Sequence, residues 1–354
     1  MDALISARRR ALLQALGAAS LVGACGAQRG AAVAPLHEFG GPTMGTSYTV
    51  KIAGTNSMPA VEIAARDTVR QAFDAVVARM STYLPDSELS RFNRHASRAP
   101  FAVSADTLAV FALARDVSAA SGGAFDVTIA PAVDAWGFGP QKSHRVPSAA
   151  EIVAIEARVG WQMLAVDAKA GTIAKSKPDV RADFSGVAKG FGVDQAARAL
   201  EALGVADYMV EAGGEVRTRG RNAEGRPWQI AIERPDAMPQ RAHLVVPLSG
   251  QSMATSGDYR IFFERDGQRY CHEIDPKSGA PIRNGLASVS VVALDCGFAD
   301  AMATALIVLG PEAGFALALA QGIAAHFIVR APDGSFVDRS TPAFAALGGR
   351  LVAA

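Results

Sequence analysis

Cysteine is scarce in this chain, three in 354 residues. With Cys25 set aside in an N-terminal processing segment, only Cys271 and Cys296 remain. Two cysteines so far apart make neither a disulfide framework nor a zinc-ligand pattern. They can bond to each other only if the fold brings them within reach. Net charge is nearly absent as well: a formal balance of +1 gives no electrostatic footprint for nucleic acid or for a polybasic membrane patch. No nucleic-acid partner is therefore expected. Internal repeats are missing, and the one biased tract is a short Ala/Gly/Pro-rich stretch near the start. What is there, 50% hydrophobic and 19% charged residues, suffices for a large buried core and is not the composition of a disordered chain.

Residues 1–24 read as an export signal peptide. Arg8, Arg9 and Arg10 precede the apolar run Ala11 to Ala24, which is too short for a permanent bilayer span. Arg9-Arg10 followed by Ala11-Leu12-Leu13-Gln14 resembles a twin-arginine signal, and a general secretory route fits the same residues. Val22-Gly23-Ala24-Cys25 resembles a bacterial lipobox, which implies a lipid anchor at Cys25 and a protein held on the periplasmic side of the inner membrane. A small-residue cleavage site with an incidental cysteine is the alternative. Residues 25–41 read as the tether and 42–354 as one large domain.

Within that domain, Ala65, Val69, Ala72, Phe73, Val76, Val77 and Met80 recur at helical spacing and predict a helix over 65–80. Another begins after Ser104, and a third carries a capping box of Ser148 and Glu151. Short strands are expected at 163–166 and 172–175, with 180–184 continuing the pattern. More are expected at 207–212, 215–219, 228–233, 243–248, 259–265, 269–274 and 287–294, with Asp266-Gly267 as a hairpin turn. Helices follow at 299–309 and 311–321. Hairpin-joined strand clusters with helices between them argue for an α+β fold, with mixed or antiparallel sheets flanked by helices, rather than βαβ repeats.

Five segments carry polar chemistry. Asp183-Phe184-Ser185-Gly186-Val187-Ala188-Lys189-Gly190 is a glycine turn entering a helix that bears a lysine, a combination suited to phosphate, although it lacks the established phosphate-loop spacings. Glu211-Ala212-Gly213-Gly214-Glu215 reads locally as a tight hairpin turn. Ala254-Thr255-Ser256-Gly257-Asp258-Tyr259 offers two hydroxyls beside a glycine at a strand start, and a polar turn explains it equally well. His272 and Asp275 stand where a strand meets a proline-ended turn, and a histidine there can serve as a base. Asp300 and Thr304, four apart on an apolar helix, share one face and offer hard oxygen ligands for Mg²⁺. An acidic residue favoured by the helix dipole explains Asp300 equally well on local grounds.

In this order and spacing, the five segments resemble the ApbE family of FAD:protein FMN transferases. Three further matches lie upstream: Pro42-Thr43-Met44-Gly45-Thr46, then Met80-Ser81-Thr82-Tyr83 running on to Ser87-Glu88-Leu89-Ser90-Arg91-Phe92-Asn93, then Gly123-Ala124-Phe125-Asp126-Val127-Thr128. The likeness spans about residues 41–345. By that resemblance Met44, Tyr83, Ala124, Phe125, Asp126 and Ile274 contact the flavin, and Asp183 and Lys189 contact FAD near the glycine turn. Mg²⁺ is then assigned to Asp300 and Thr304, with backbone at Gly186 and Ala303, and His272 to the role of base, with Lys189 also catalytic.

The implied reaction transfers FMN from FAD to a Thr or Ser hydroxyl of an acceptor flavoprotein in a membrane redox complex and releases AMP. A Mg²⁺-dependent FAD pyrophosphatase and a non-catalytic periplasmic flavin-binding lipoprotein are the competing readings. The chain departs from the family pattern at Cys271 and Glu273, which flank the motif histidine, and at Val127.

Overall fold

The computed structural model describes residues 34–54, 58–236 and 239–352. The expected signal peptide, Cys25 and the first part of the expected tether lie outside the described residues. The chain runs β1 (Leu36–Thr43), β2 (Thr46–Ala53), α1 (Met58–Met80), α2 (Glu88–Arg94), β3 (Phe101–Ala102), α3 (Ala105–Ala120), α4 (Ala130–Trp136) and α5 (Ala149–Glu156). It continues through β4 (Leu164–Asp167), β5 (Thr172–Lys175), α6 (Ala188–Ala202), β6 (Tyr208–Ala212), β7 (Glu215–Arg219), β8 (Trp228–Glu233), β9 (Ala242–Leu248) and β10 (Ser252–Gly257). The last third holds β11 (Phe262–Arg265), β12 (Gln268–Cys271), β13 (Ile274–Asp275), β14 (Ala280–Pro281), β15 (Leu286–Ala293), α7 (Cys296–Ala320), β16 (Ala324–Arg330), β17 (Phe336–Ser340), α8 (Pro342–Ala345) and β18 (Arg350–Leu351).

The α+β expectation holds. The central sheet has the order β1-β2-β6-β7-β10-β15-β16-β17, and a smaller sheet has the order β18-β9-β8. Each of these neighbouring pairs is antiparallel.

Side-chain alternation along the central strands assigns the two faces. On one face Ala254, Val289, Val291, Ala325 and Phe327 pack with α3 and α7, and Val50, Val210 and Ala212 pack with α1 and α6. On the other, Val216, Met253, Val292 and Ile328 meet Ile230, Ile232, Val246 and Leu248 of the small sheet. Phe73 and Val76 are buried on the predicted stripe of α1, yet the helix begins at Met58, ahead of that stripe. In its first turns Val61 already packs against the core, while Ile63 is 63% exposed.

Two other expectations needed correction. The folded body begins before Pro42: Leu36 to Thr43 pair with β2, so residues 36–41 belong to the sheet edge and not to a tether. Glycines at 40 and 41 hid that strand, and at Gly40 a Cβ would stand 2.3 Å from the Tyr48 carbonyl oxygen, so the close backbone approach itself demands glycine. Residues 180–184 form no strand. They are held instead by Asn93, whose Nδ2 donates to the Ala182 carbonyl (2.8 Å) and whose Oδ1 accepts from the Ala182 amide (2.7 Å). The two C-terminal helices expected at 299–309 and 311–321 are both present, as one span Cys296–Ala320 that a non-helical Gly310 (φ 82°, ψ −178°) divides ahead of Pro311. There the Asn284 Nδ2 donates to the Ile307 carbonyl that the break leaves free (2.8 Å), a usual remedy at proline kinks. Cys271 and Cys296 are both buried and free.

Candidate functional site

Residues 183–190 set the site. The Asp183 amide donates to the Val127 carbonyl (2.7 Å), and its carboxylate accepts from the Ser185 amide (2.7 Å), which bends the chain into α6. Gly190, on the first turn of α6, is pressed against α7: its amide donates to Asp300 Oδ2 (2.9 Å), and a Cβ there would fall 2.4 Å from the Cys296 carbonyl oxygen. Gly186 approaches α7 one turn further on. A Cβ at that position would lie 3.0 Å from Thr304 Oγ1 and 3.2 Å from the Phe125 ring. Ser256 Oγ, from β10, completes this corner 3.2 Å from Thr304 Oγ1. The segment that reads locally as a polar turn is therefore a central strand, and its Ser256 faces α7.

Lys189 stands among carboxylates. Its Nζ is 3.1 Å from Glu215 Oε1 and 3.9 Å from Asp300 Oδ1. Burial opposes its charge, but Asp300 and Glu215 outweigh burial and hold the ammonium well above the usual lysine range. Burial raises Asp300 and Glu215 against the opposing pull of Lys189, and it pushes Glu273 up to about 8 in spite of the same lysine. Burial also lowers His272, to about 4, with the Lys189 charge adding to the effect. At neutral pH the imidazole is uncharged, and its Nδ1 is buried without a partner. Glu273 Oε1 lies 3.7 Å from His272 Nε2. The departure at position 273 thus puts a largely protonated carboxyl where an apolar side chain is usual, which moderates the cost of burying it.

One cleft is lined by His272, Lys189, Asp183, Gly186, Asp300 and Thr304, and its apolar wall includes Ala124, Phe125, Ile129, Val133 and Ile274. Asp126 lines it too, but its carboxylate is already engaged. Oδ1 accepts from the Thr128 amide (2.8 Å) and hydroxyl (2.7 Å), and Oδ2 from the Trp161 amide (2.7 Å). Asp126 therefore shapes the wall.

Three expected residues do not line this cleft. Met44 sits at the β1–β2 tip with φ +45° and packs toward Gly192 and Phe73. Tyr83 is 58% exposed, near enough to Asp183 and Asp134 for their charges to add to the effect of burial in raising its hydroxyl. Ala303 is fully buried in the core and offers only backbone.

Two acids escaped the sequence reading. Glu215 gives no signal of its own in the sequence, because Gly213 (φ 60°) and Gly214 (φ 102°) beside it make the expected hairpin turn. Glu273 looked like a simple replacement. A charged residue beside each motif was the available signal.

The donor set suits a hard divalent cation. Asp300 is 97% buried, being 3% exposed, with Oδ1 beyond hydrogen-bond reach of Lys189 at 3.9 Å. The Thr304 hydroxyl and the Gly186 turn adjoin each other. Carboxylate, hydroxyl and carbonyl oxygens are the ligands Mg²⁺ takes, with water and substrate phosphates completing its shell.

Known proteins share this sequence and this fold. The ApbE family model matches residues 44–327. A Haemophilus influenzae protein called FAD:protein FMN transferase is 43% identical over 309 residues, covering 86% of this chain and 89% of its own length. A Vibrio cholerae protein of the same name is 42% identical, covering 83% and 87%. Among solved structures, the flavin transferase ApbE from Vibrio cholerae superposes with a TM-score of 0.81 at 40% identity, covering 89% of this chain and 99% of its own. The apo form of the Pseudomonas stutzeri flavinyl transferase ApbE gives 0.80 at 42%, covering 89% and 97%.

Proposed function

This chain belongs to the ApbE family, and from that membership we propose that it is an FAD:protein FMN transferase. In this reading a Thr or Ser hydroxyl of an acceptor flavoprotein attacks the FMN-side phosphorus of FAD, and AMP leaves. The observation that carries it is the convergence of Lys189, Asp300, Thr304 and His272 on one cleft with an apolar wall at Ala124, Phe125 and Ile274. The wall suits the isoalloxazine ring, and the polar end suits the pyrophosphate.

Phosphoryl transfer needs alignment and charge neutralisation more than covalent help. The Lys189 ammonium, kept charged by Asp300 and Glu215, orients the pyrophosphate. The neutral His272 ring accepts the proton of the attacking hydroxyl at a ring nitrogen. Phe125 and its neighbours exclude water, which favours transfer to protein over hydrolysis. Asp300, Thr304 and the Gly186 carbonyl would hold Mg²⁺, which when bound would neutralise charge on the phosphates. We assign the mature protein to the periplasmic side of the inner membrane, anchored at Cys25, and its acceptors to membrane redox complexes. This assignment rests on the N-terminal sequence and on the family resemblance.

Incubating the mature protein with FAD, Mg²⁺ and a purified acceptor subunit, and following AMP release together with covalent flavin, tests the reading. One flavin on the acceptor per AMP is expected; AMP without labelled protein would make the enzyme a pyrophosphatase, and tight flavin binding with neither product would make it a carrier.

The histidine assignment has its own test. A base must be unprotonated to act, so activity is lost as pH falls through the pKa of His272. The acid limb of kcat/KM should therefore lie near pH 4 instead of near the ordinary histidine value. His272→Gln should remove that limb and lower the rate by about 10²-fold or more. A limb near 6.5 that persists in the variant would assign the proton transfer to another group.

A further inference from the structure

A second cluster of ligating side chains stands apart from the cleft. His326 lies on β16 and pairs across the sheet with Ser340. Its strand neighbour Ile328 packs against the small sheet, so by alternation His326 faces that side too, away from α7. Asp338, on β17, pairs with Ile328 and shares the same face. His243 comes from β9 of the small sheet. Its Nε2 is 2.9 Å from both Asp338 oxygens, and His326 Nε2 is 3.6 Å from Asp338 Oδ1. All three potential ligand atoms lie within 4.8 Å of one another.

An ordinary ion pair between His243 and Asp338 explains two of these residues and leaves the third unaccounted for. The His326 side chain is 1% exposed, and its Nε2 is buried with no hydrogen-bond partner. Its other nitrogen, Nδ1, is engaged with Ser340 Oγ at 2.8 Å, and the ring stacks on Phe344 with centroids 5.2 Å apart. A hydrogen bond at Nδ1 that fixes the ring and leaves a lone pair at Nε2 is how the far nitrogen of a metal-ligating histidine is usually held.

We propose that His243, His326 and Asp338 form a second divalent-metal site, of the zinc class, on the face of the central sheet opposite the cleft. Two imidazoles and a carboxylate are the donors that suit such ions. Ligand atoms around a tetrahedral ion with bonds of about 2.0 Å stand roughly 3.3 Å apart, and the 2.9 and 3.6 Å separations bracket that value. The side chains of His243 and Asp338 are 13% and 28% exposed, which gives an ion entry and leaves a fourth position to water. The bound ion would cross-link β9 of the small sheet to β16 and β17 of the large one.

The test is a Co²⁺ titration of the full folded protein, free of any histidine tag and without FAD, followed by visible absorption and repeated with Zn²⁺ as competitor. One equivalent of Co²⁺ should give the intense bands of a four-coordinate ion, which the six-coordinate oxygen set proposed for Mg²⁺ in the cleft does not produce, and Zn²⁺ should abolish them. His243→Gln and Asp338→Asn, both near the surface, should weaken binding by about tenfold or more while leaving Mg²⁺-supported FMN transfer unchanged. Absence of the bands, equal bands in both variants, or their loss on adding FAD with Mg²⁺ would overturn the proposal, the last by moving the ion to the cleft.

Discussion

Replacing Asp300 by asparagine should lower kcat/KM for FMN transfer by about 10³-fold while leaving the fold intact. The amide keeps the shape of the side chain and can still accept from the Gly190 N–H, a bond of 2.9 Å in the present structure. What it loses is the negative charge beside Lys189 and the one anionic ligand in the proposed Mg²⁺ set. Losing roughly 4 kcal/mol of charge stabilisation in a water-poor cleft corresponds to about three factors of ten. Steady-state rates at several Mg²⁺ concentrations provide the check, with a urea melt to show that stability is kept. Partial recovery at high Mg²⁺ is the signature of a weakened site. Undiminished turnover would remove Asp300 from the metal set.

Asp194→Ala should be the most damaging single substitution for stability that leaves the cleft residues untouched. Asp194 is 2% exposed and lies on α6, yet it caps α7: its carboxylate accepts from the Cys296 amide (3.0 Å) and the Gly297 amide (2.9 Å). It also meets the Arg217 guanidinium of β7 at 2.5 Å. Alanine would leave two helix-end amides without their acceptor, and would leave the Arg217 guanidinium only the exposed Asp295 carboxylate, 3.7 Å away. Breaking a buried pair by removing one member costs roughly 3–5 kcal/mol, and the midpoint of urea unfolding should fall accordingly. Asp194→Asn, which can still accept from the amides, should recover part of the loss. Equal midpoints for wild type and alanine variant would mean that solvent takes over the role of the carboxylate.

Elements whose cause is local were legible in the sequence. The Ser148 and Glu151 side chains make both bonds of the expected capping box, and Asp266 with Gly267 adopts the left-handed conformation of a tight hairpin. Strands β4 and β5 fall within a residue of expectation because a strand pair joined by a short polar turn carries its own signal. The misses have a shared origin in long-range partners. Ser252–Gly257 reads as polar but is a central strand, since Thr255 Oγ1 shares a hydrogen bond with Ser290 on the next strand (2.7 Å). Residues 180–184 look like a strand by their residue types, but Asn93 takes both backbone groups of Ala182 in place of a strand partner, and nothing within the segment announces a residue 89 positions away.

In the cleft, side-chain chemistry was readable where one helix face or one turn held it, as with Asp300 and Thr304. The approach of Glu215 and Glu273 to Lys189 arises only when three separate elements meet. His326 illustrates the same limit: β16 and β17 were absent from the strand assignment altogether, so its neighbours had no place in it.

Glu215 and Glu273 also change what kind of container the cleft is. Both carboxyls are raised toward neutrality by burial, so each is poised to gain or lose a proton in answer to its neighbours. An incoming dinucleotide can be met by protons taken up, and an incoming cation by protons given off. The cleft would then hold its charge near balance with protons exchanged at its own side chains, drawing little on ions from the surrounding solution. Occupancy of such a compartment should respond weakly to ionic strength, because its charges lie where salt screens them poorly. It should respond more strongly to the acidity outside, through the carboxyls gathered around the single Lys189.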